Sequence, residues 1–148
     1  RAITYDPDLA PIGAAMTATI IPTSEGSTAQ LTVLGLLPNR SYAVAAYNKP
    51  CGPTAGASGA RFQNHPDPAA RPSAPSTDPR YANPDNEIWL DMQTDASGAG
   101  TAATTVPFVL TDHLPGSMVV HDQRHSSQNS AGAGNFGARI ACLTLSRR

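Results

Sequence analysis

Four histidines, two cysteines and a scatter of carboxylates are the residues of this chain equipped to hold a metal or move a proton. His121 stands apart from the rest. It closes the apolar run Ser117, Met118, Val119, Val120, so a strand would fix the direction of its ring at an end where ligands and catalytic groups are commonly displayed. His125 follows four residues later, and the two would share a metal if the chain curved back, although neither a helix nor a zinc-type spacing puts them on one face. His65 and His113 fall in a loop and a turn, where a solvated or hydrogen-bonded imidazole is the ordinary outcome. Cys142 has a single intramolecular partner available, Cys51, and in oxidising surroundings a bridge between them would tie the end of the chain to its first third. Arg139 lies in the same closing segment as Cys142 and, by strict alternation, faces the opposite side. Asp85, Glu87 and Asp91 sit close together, with Glu87 and Asp91 reading as solvated charges on a strand edge rather than an acid/base pair. No Gly-x-Ser-x-Gly elbow, phosphate-binding glycine loop or His-Glu-x-x-His occurs, which argues against hydrolase chemistry.

The elements that must carry these residues read as short strands. Residues 14–21 and 27–34 show partial period-2 alternation around the turn Thr23-Ser24-Glu25-Gly26, the pattern of an antiparallel hairpin. A third strand covers 41–47 and stops at Lys49-Pro50-Cys51-Gly52-Pro53. Residues 87–92, which contain the lone tryptophan, form a further strand, and 101–108 return as its partner after a glycine-rich turn. Residues 117–121 and the segment entered through Gly137 complete the set. Two stretches lack any period: a loop over about 52–86, rich in Pro, Ala, Ser and Gly, and a polar, glycine-rich loop over about 122–136. A long loop inside one domain needs an anchor, and Cys51 stands at the start of the first.

The chain of 148 residues is expected to be one domain, 1–148, large enough for a core without structural metals. Hydrophobic residues make up 40% and charged residues 14%, with 12 glycines and 14 prolines, a composition suited to strands joined by turns. Net charge is −1 and no basic stripe is present, so nucleic acid is not an expected partner. The longest apolar runs, 14–22 and 42–47, are too short for a transmembrane segment. Nothing at the N-terminus reads as a signal peptide, but a chain opening on Arg1 is expected to be a processed or trimmed product, so a leader on its precursor remains compatible with it.

Taken in order, Lys49-Pro50-Cys51-Gly52, Ser117-Met118-Val119-Val120-His121 and Gly137-Ala138-Arg139-Ile140-Ala141-Cys142 around a glycine-rich loop resemble the copper/zinc superoxide dismutase family. Asn83-Pro84-Asp85-Asn86-Glu87-Ile88-Trp89-Leu90-Asp91 is similar to its secreted actinobacterial branch. The resemblance covers most of the chain. It implies an all-β, eight-stranded Greek-key β-barrel or sandwich with two long loops, a Cys51–Cys142 disulfide, His121 as a copper ligand, and Arg139 as the arginine that draws superoxide to the metal.

The resemblance stops at the metal ligands. The family carries a His-x-His pair on the strand before its first cysteine, where this chain has Ala45 and Tyr47, and its bridging histidine falls on Arg61. A full copper and zinc site takes six histidines and an aspartate, more histidines than the four here. Alanine has no lone pair to offer, and a guanidinium stays protonated and repels a cation. The expectation is therefore a dismutase-like protein without a working metal centre, a structural or binding subunit of a larger assembly, secreted, periplasmic or in the cell envelope, with a protein partner or a homodimer as its association. No cofactor is expected. The alternatives are a dismutase with an altered copper site built from His121, His125 and His65, with Tyr47, and a copper-binding protein without turnover. Zinc held by His65 with Asp85 or Asp67 is an incomplete set. Arg61 is expected to pair with a carboxylate such as Asp85, and Arg139, in the absence of copper, to pair with a carboxylate or bond to loop carbonyls.

Overall fold

The most regular part of the molecule is the expected hairpin. The computed structural model describes residues 2–71, 75–110, 113–123 and 136–145. Strands β2 (Ala15–Pro22) and β3 (Ser27–Leu34) pair antiparallel without interruption from Ala15 opposite Leu34 to Pro22 opposite Ser27. Alternation decides their two faces: Met16, Ala29, Leu31 and Val33 are buried, while Thr17, Thr19 and Thr32 are exposed. The third member of this sheet is β7 (Gly100–Val106), which pairs with β3. It was expected beside residues 87–92. Those residues instead contribute only Met92 to β6 (Met92–Gln93), which pairs with the two-residue β4 (Ser41–Tyr42). The turn at 95–99 links neighbours in sequence, but Leu31 and Val33 of β3 offer 101–106 a longer apolar surface than the short 92–93 segment does.

The second main sheet has the order β1-β9-β8-β5, from β1 (Ala2–Thr4), β5 (Val44–Tyr47), β8 (Ser117–His121) and β9 (Arg139–Thr144). Every residue of β5 and β8 is buried. Continuous burial gives these strands no polar alternation, which is why they read as plain apolar runs. One face joins the core shared with the first sheet, where Val44, Ala46, Met118, Val120 and Leu143 meet Met16, Leu31 and Val33. Each of the valine, leucine and methionine side chains contributes about 1.5–3 kcal/mol on burial. The other face carries Ala43, Ala45, Tyr47, Val119, Phe136 and Cys142. Among the described residues the fold is thus all-β, with nine strands in three antiparallel sheets. These sheets do not join into one closed barrel. No helix is long and apolar enough to cross a membrane among the described residues.

A register shift between Val120 and His121 reorders the closing strand. Val119 lies opposite Cys142 and Val120 opposite Ala141, but His121 lies opposite Arg139, leaving Ile140 as an extra residue. Arg139 therefore shares a face with Cys142 and His121. Strict alternation placed it on the other side, and the bulge is the reason it is not there.

The long first loop is anchored at its start. Cys51 and Cys142 form a disulfide with an S–S distance of 2.01 Å, closing 91 residues of sequence separation. Just beyond it, Ala55–Ser58 make a single 3₁₀ turn. Gly116 lets the chain pass close by: a Cβ there would meet the Lys49 carbonyl carbon at 2.5 Å, so only glycine permits the approach that brings β8 beside the end of β5.

Candidate functional site

The free edge of β5 is covered by two segments from either end of the long loop. Trp89 bridges Ala45 and Arg61 bridges Tyr47, supported by Leu90 N–H to Val44 O at 2.8 Å and Phe62 N–H to Ala46 O at 2.9 Å. Tyr47, Arg61, His121 and Arg139 are thereby brought into one cluster behind Cys142. Ala45 joins the same face and contributes only a methyl group.

His121 is held at both ring nitrogens. Nδ1 lies 3.0 Å from Gly137 O, and because a carbonyl only accepts, Nδ1 carries the proton. Nε2 is then left with a lone pair, which accepts from the Tyr47 hydroxyl at 2.9 Å. Burial pulls the His121 pKa from 6.5 down to about 4; the Gly137 hydrogen bond opposes this, and the positive charges of Arg139 and Arg61 add to it. The imidazole is therefore neutral. Tyr47 is pushed above the usual phenol range by desolvation, against the two guanidiniums and a hydrogen bond from Arg61. Arg139 stacks on Tyr47, with its Cζ 4.3 Å from the ring centroid. Its N–H groups donate to Ala55 O at 3.1 Å, Ser58 Oγ at 3.0 Å and Gly59 O at 2.8 Å, so it clasps the 3₁₀ turn. Phe136 packs edge-on against both His121 and Trp89.

Arg61, 6% exposed, pairs with Glu87, 1% exposed, through Nε to Oε1 at 2.8 Å. Asp85, the carboxylate expected there, is exposed at the surface, and Glu87, expected on a solvated edge, is buried. The reason is hydrogen bonding: Gln63 Nε2 donates to Oε2 at 2.7 Å and Trp89 Nε1 to Oε1 at 2.8 Å, so the Glu87 carboxylate receives three donors. Arg61 also donates to Ser76 O and lies 5.1 Å from the Phe136 ring centroid. Ser76 Oγ donates to Asp67 Oδ2 at 2.7 Å, and the Asp67 N–H donates to Gln63 Oε1 at 2.8 Å, which ties the middle of the loop to the same network.

Copper or zinc does not fit this cluster. Ala45 has no donor atom, the Tyr47 phenol keeps its proton, the His121 Nε2 lone pair is taken, and Arg61 brings a fixed positive charge. Among the described residues no group of three or more His, Cys, Asp or Glu converges. His65 is exposed, its backbone N–H bonded to Asn86 Oδ1 at 2.8 Å. His113 packs against Phe62 with the ring centroids 4.4 Å apart and the planes tilted by 41°. His125 and most of the second loop lie outside the described residues.

Gln63 and Ser76 were not singled out by their sequence context, and Glu87 was read there as a solvated charge. One signal was present: Glu87 and Trp89 alternate with Ile88 and Leu90, so a carboxylate and an indole N–H occupy one face while two aliphatic side chains enter the core. A search of protein-family models and of curated proteins finds no match to this chain.

Proposed function

We propose that this chain is a dismutase-like protein of the copper/zinc superoxide dismutase type that performs no metal chemistry, and that it serves as a structural or binding subunit outside the cytoplasm, in the cell envelope. The carrying observation is the occupant of the ligand region: the guanidinium of Arg61, buried against Tyr47 and neutralised by Glu87 at 2.8 Å. A positive charge held at that point supplies what a cation would supply to its neighbours, without a vacant coordination position. The hydrogen-bonded series from Arg61 through Tyr47 and His121 to Gly137 leaves no imidazole lone pair free in the cluster. The disulfide supports an oxidising compartment, because cytosolic thiols are kept reduced.

The test is a copper titration of the purified protein followed by electron paramagnetic resonance, with superoxide dismutation assayed on the same samples. The expected result is no stoichiometric copper with imidazole-nitrogen splitting and no dismutation above that of free copper. One equivalent of tightly held copper, lost together with dismutase activity in His121→Ala, would overturn the reading.

A further inference from the structure

The two main sheets leave an open seam between them. β2 is the edge of its sheet, and in the other sheet β1 covers β9 only as far as Leu143, so Leu145 beyond it has no β1 residue beside it. A cavity of about 520 Å³ lies here, walled by residues 18–22 of β2 and by Leu110, Leu114, Pro115 and Leu145 from other segments. Both parities of β2 border it, Thr19 and Ile21 as well as Ala18 and Ile20, so it runs along the edge of the strand rather than under one face. Ala18, Ile20, Leu110 and Leu145 pack against the core yet stay only partly buried. The backbone along this edge is equally unfinished. Thr23 N–H donates to Gly26 O at 2.8 Å, which makes 23 and 26 a hydrogen-bonded pair. Alternation then makes 21 with 28, 19 with 30 and 17 with 32 the bonded pairs of the hairpin, and turns the N–H and C=O groups of Met16, Ala18 and Ile20 away from β3. Pro22, the next outward position, has no N–H and so ends the row of donors. Among the described residues no backbone group bonds to these outward atoms. β2 also carries none of the usual guards of a free edge: it is eight residues long, pairs with β3 without a bulge and holds no charge.

We infer that the seam takes an extended peptide donated by a partner protein, which adds a strand beside β2 and sets alternate apolar side chains into the cavity. The row of backbone groups selects this occupant. Groups on one edge of a strand recur every two residues, roughly 6.6 Å apart, and a second extended backbone is the ligand that repeats donors and acceptors at that interval. An acyl chain would fill the apolar space, but it would cover the Ala18 and Ile20 amides without pairing them, and buried unpaired amides are costly. The volume falls in the range of ligand sites, roughly 300–1,000 Å³, so the occupant brings side chains as well as backbone. The apolar walls set what those side chains are: Leu110, Leu114 and Leu145 favour aliphatic or aromatic residues at every second position of the guest. The inference rests on the reading of this chain as a binding subunit and gives its partner a chemistry. It uses no residue of the cluster around Arg61, so copper binding and peptide binding can fail separately.

The test is fluorescence anisotropy of the full chain with labelled, lysine-flanked heptapeptides in which threonine alternates with valine, leucine or phenylalanine. At least one is expected to bind saturably. Two further versions of that peptide are N-methylated, one at its apolar residues and one at its threonines; the version that loses the N–H groups facing β2 is expected to bind at least about tenfold more weakly, and which one it is gives the direction of the added strand. Ala18→Pro, which removes one outward N–H and leaves the pairing with β3 intact, is expected to weaken binding by a similar factor, as is Leu114→Lys, which puts a charge in the cavity. Ile12→Lys, at an exposed turn, is expected to bind as the wild type does, and circular dichroism with thermal melts checks that all variants remain folded. A chain that binds none of the peptides overturns the inference. Binding that is indifferent to both N-methylations and displaced by palmitate overturns it as well, and assigns the cavity to acyl chains. A dimer in sedimentation velocity that Ala18→Pro abolishes, with no peptide bound, gives the edge to a second copy and overturns it too.

Discussion

Acidification should destabilise this protein through one histidine. The His121 pKa is about 4 in the folded chain and 6.5 when the ring is free, so as pH falls the unfolded state takes up a proton first. Stability is then complete above pH 6.5, declines between 6.5 and about 4, and levels off below that as far as this group is concerned. At 1.36 kcal/mol per pKa unit the interval amounts to about 3 kcal/mol, with a slope approaching about 1.4 kcal/mol per pH unit. Total stabilities run at about 5–15 kcal/mol, so the loss is a large fraction. The physical cause is chiefly burial, which takes the charged imidazolium out of water. Nε2 faces the Tyr47 hydroxyl, Arg61 and Arg139 stand nearby, and Asp122 is the acidic group that offsets them. Urea unfolding measured at intervals from about pH 7.5 to 4 on wild type and His121→Gln reads the effect as a difference. The variant is expected to be weaker at neutral pH and flat across the window, because glutamine does not titrate. Parallel curves for the two proteins would refute the reasoning, since the slope would then belong to other groups. Asp78 and Asp95, whose carboxyls are held below their usual range by Arg80 and by Ser97 with neighbouring backbone N–H groups, act at lower pH and do not mimic it.

Replacing Arg61 with Met should cost about 3–5 kcal/mol in urea unfolding, because Glu87 is left buried without its counter-charge. Adding Glu87→Gln should recover a substantial part of that loss, and an Arg61→Met protein within about 1 kcal/mol of wild type would argue that the pair is not coupled. Removing the disulfide with Cys51→Ser and Cys142→Ser should lower stability by about 4–5 kcal/mol by the chain-entropy relation for a loop of this length, measured by the same unfolding assay. Arg139→Met, which keeps the aliphatic stem but drops three hydrogen bonds to the 55–59 segment, should speed limited proteolysis there with a modest loss of about 1–3 kcal/mol in global stability.

The parts of the fold that sequence disclosed are those governed by local period. The hairpin of 14–21 and 27–34 follows from alternation plus a turn, and β2 and β3 reproduce its pairing almost residue for residue. His121 at a strand end was legible for the same reason, and the need to anchor a 35-residue aperiodic stretch pointed to Cys51. What stayed hidden depends on distant chemistry. The partner of 101–106 is chosen by the apolar surface of β3 rather than by nearness in sequence. Glu87 looks like a surface charge until Arg61 and Gln63, 26 and 24 residues away, bring donors to it. The face taken by Arg139 turns on a pairing irregularity opposite it, which composition and spacing along β9 do not record.

That irregularity makes β9 unequal in its response to changes of length. Facing along a strand is a matter of odd and even, and Ile140 inverts the count between Arg139 and Cys142. A residue inserted before Arg139 lengthens a connection and leaves both side chains where they are. A residue deleted between Arg139 and Cys142 removes the extra residue and leaves the two side chains two apart, on one face by simple alternation, so the guanidinium stays over Tyr47 and the loss falls on the core that Ile140 fills. What would turn the guanidinium away is loss of the bulge at constant length, which puts Arg139 and Cys142 back on opposite faces.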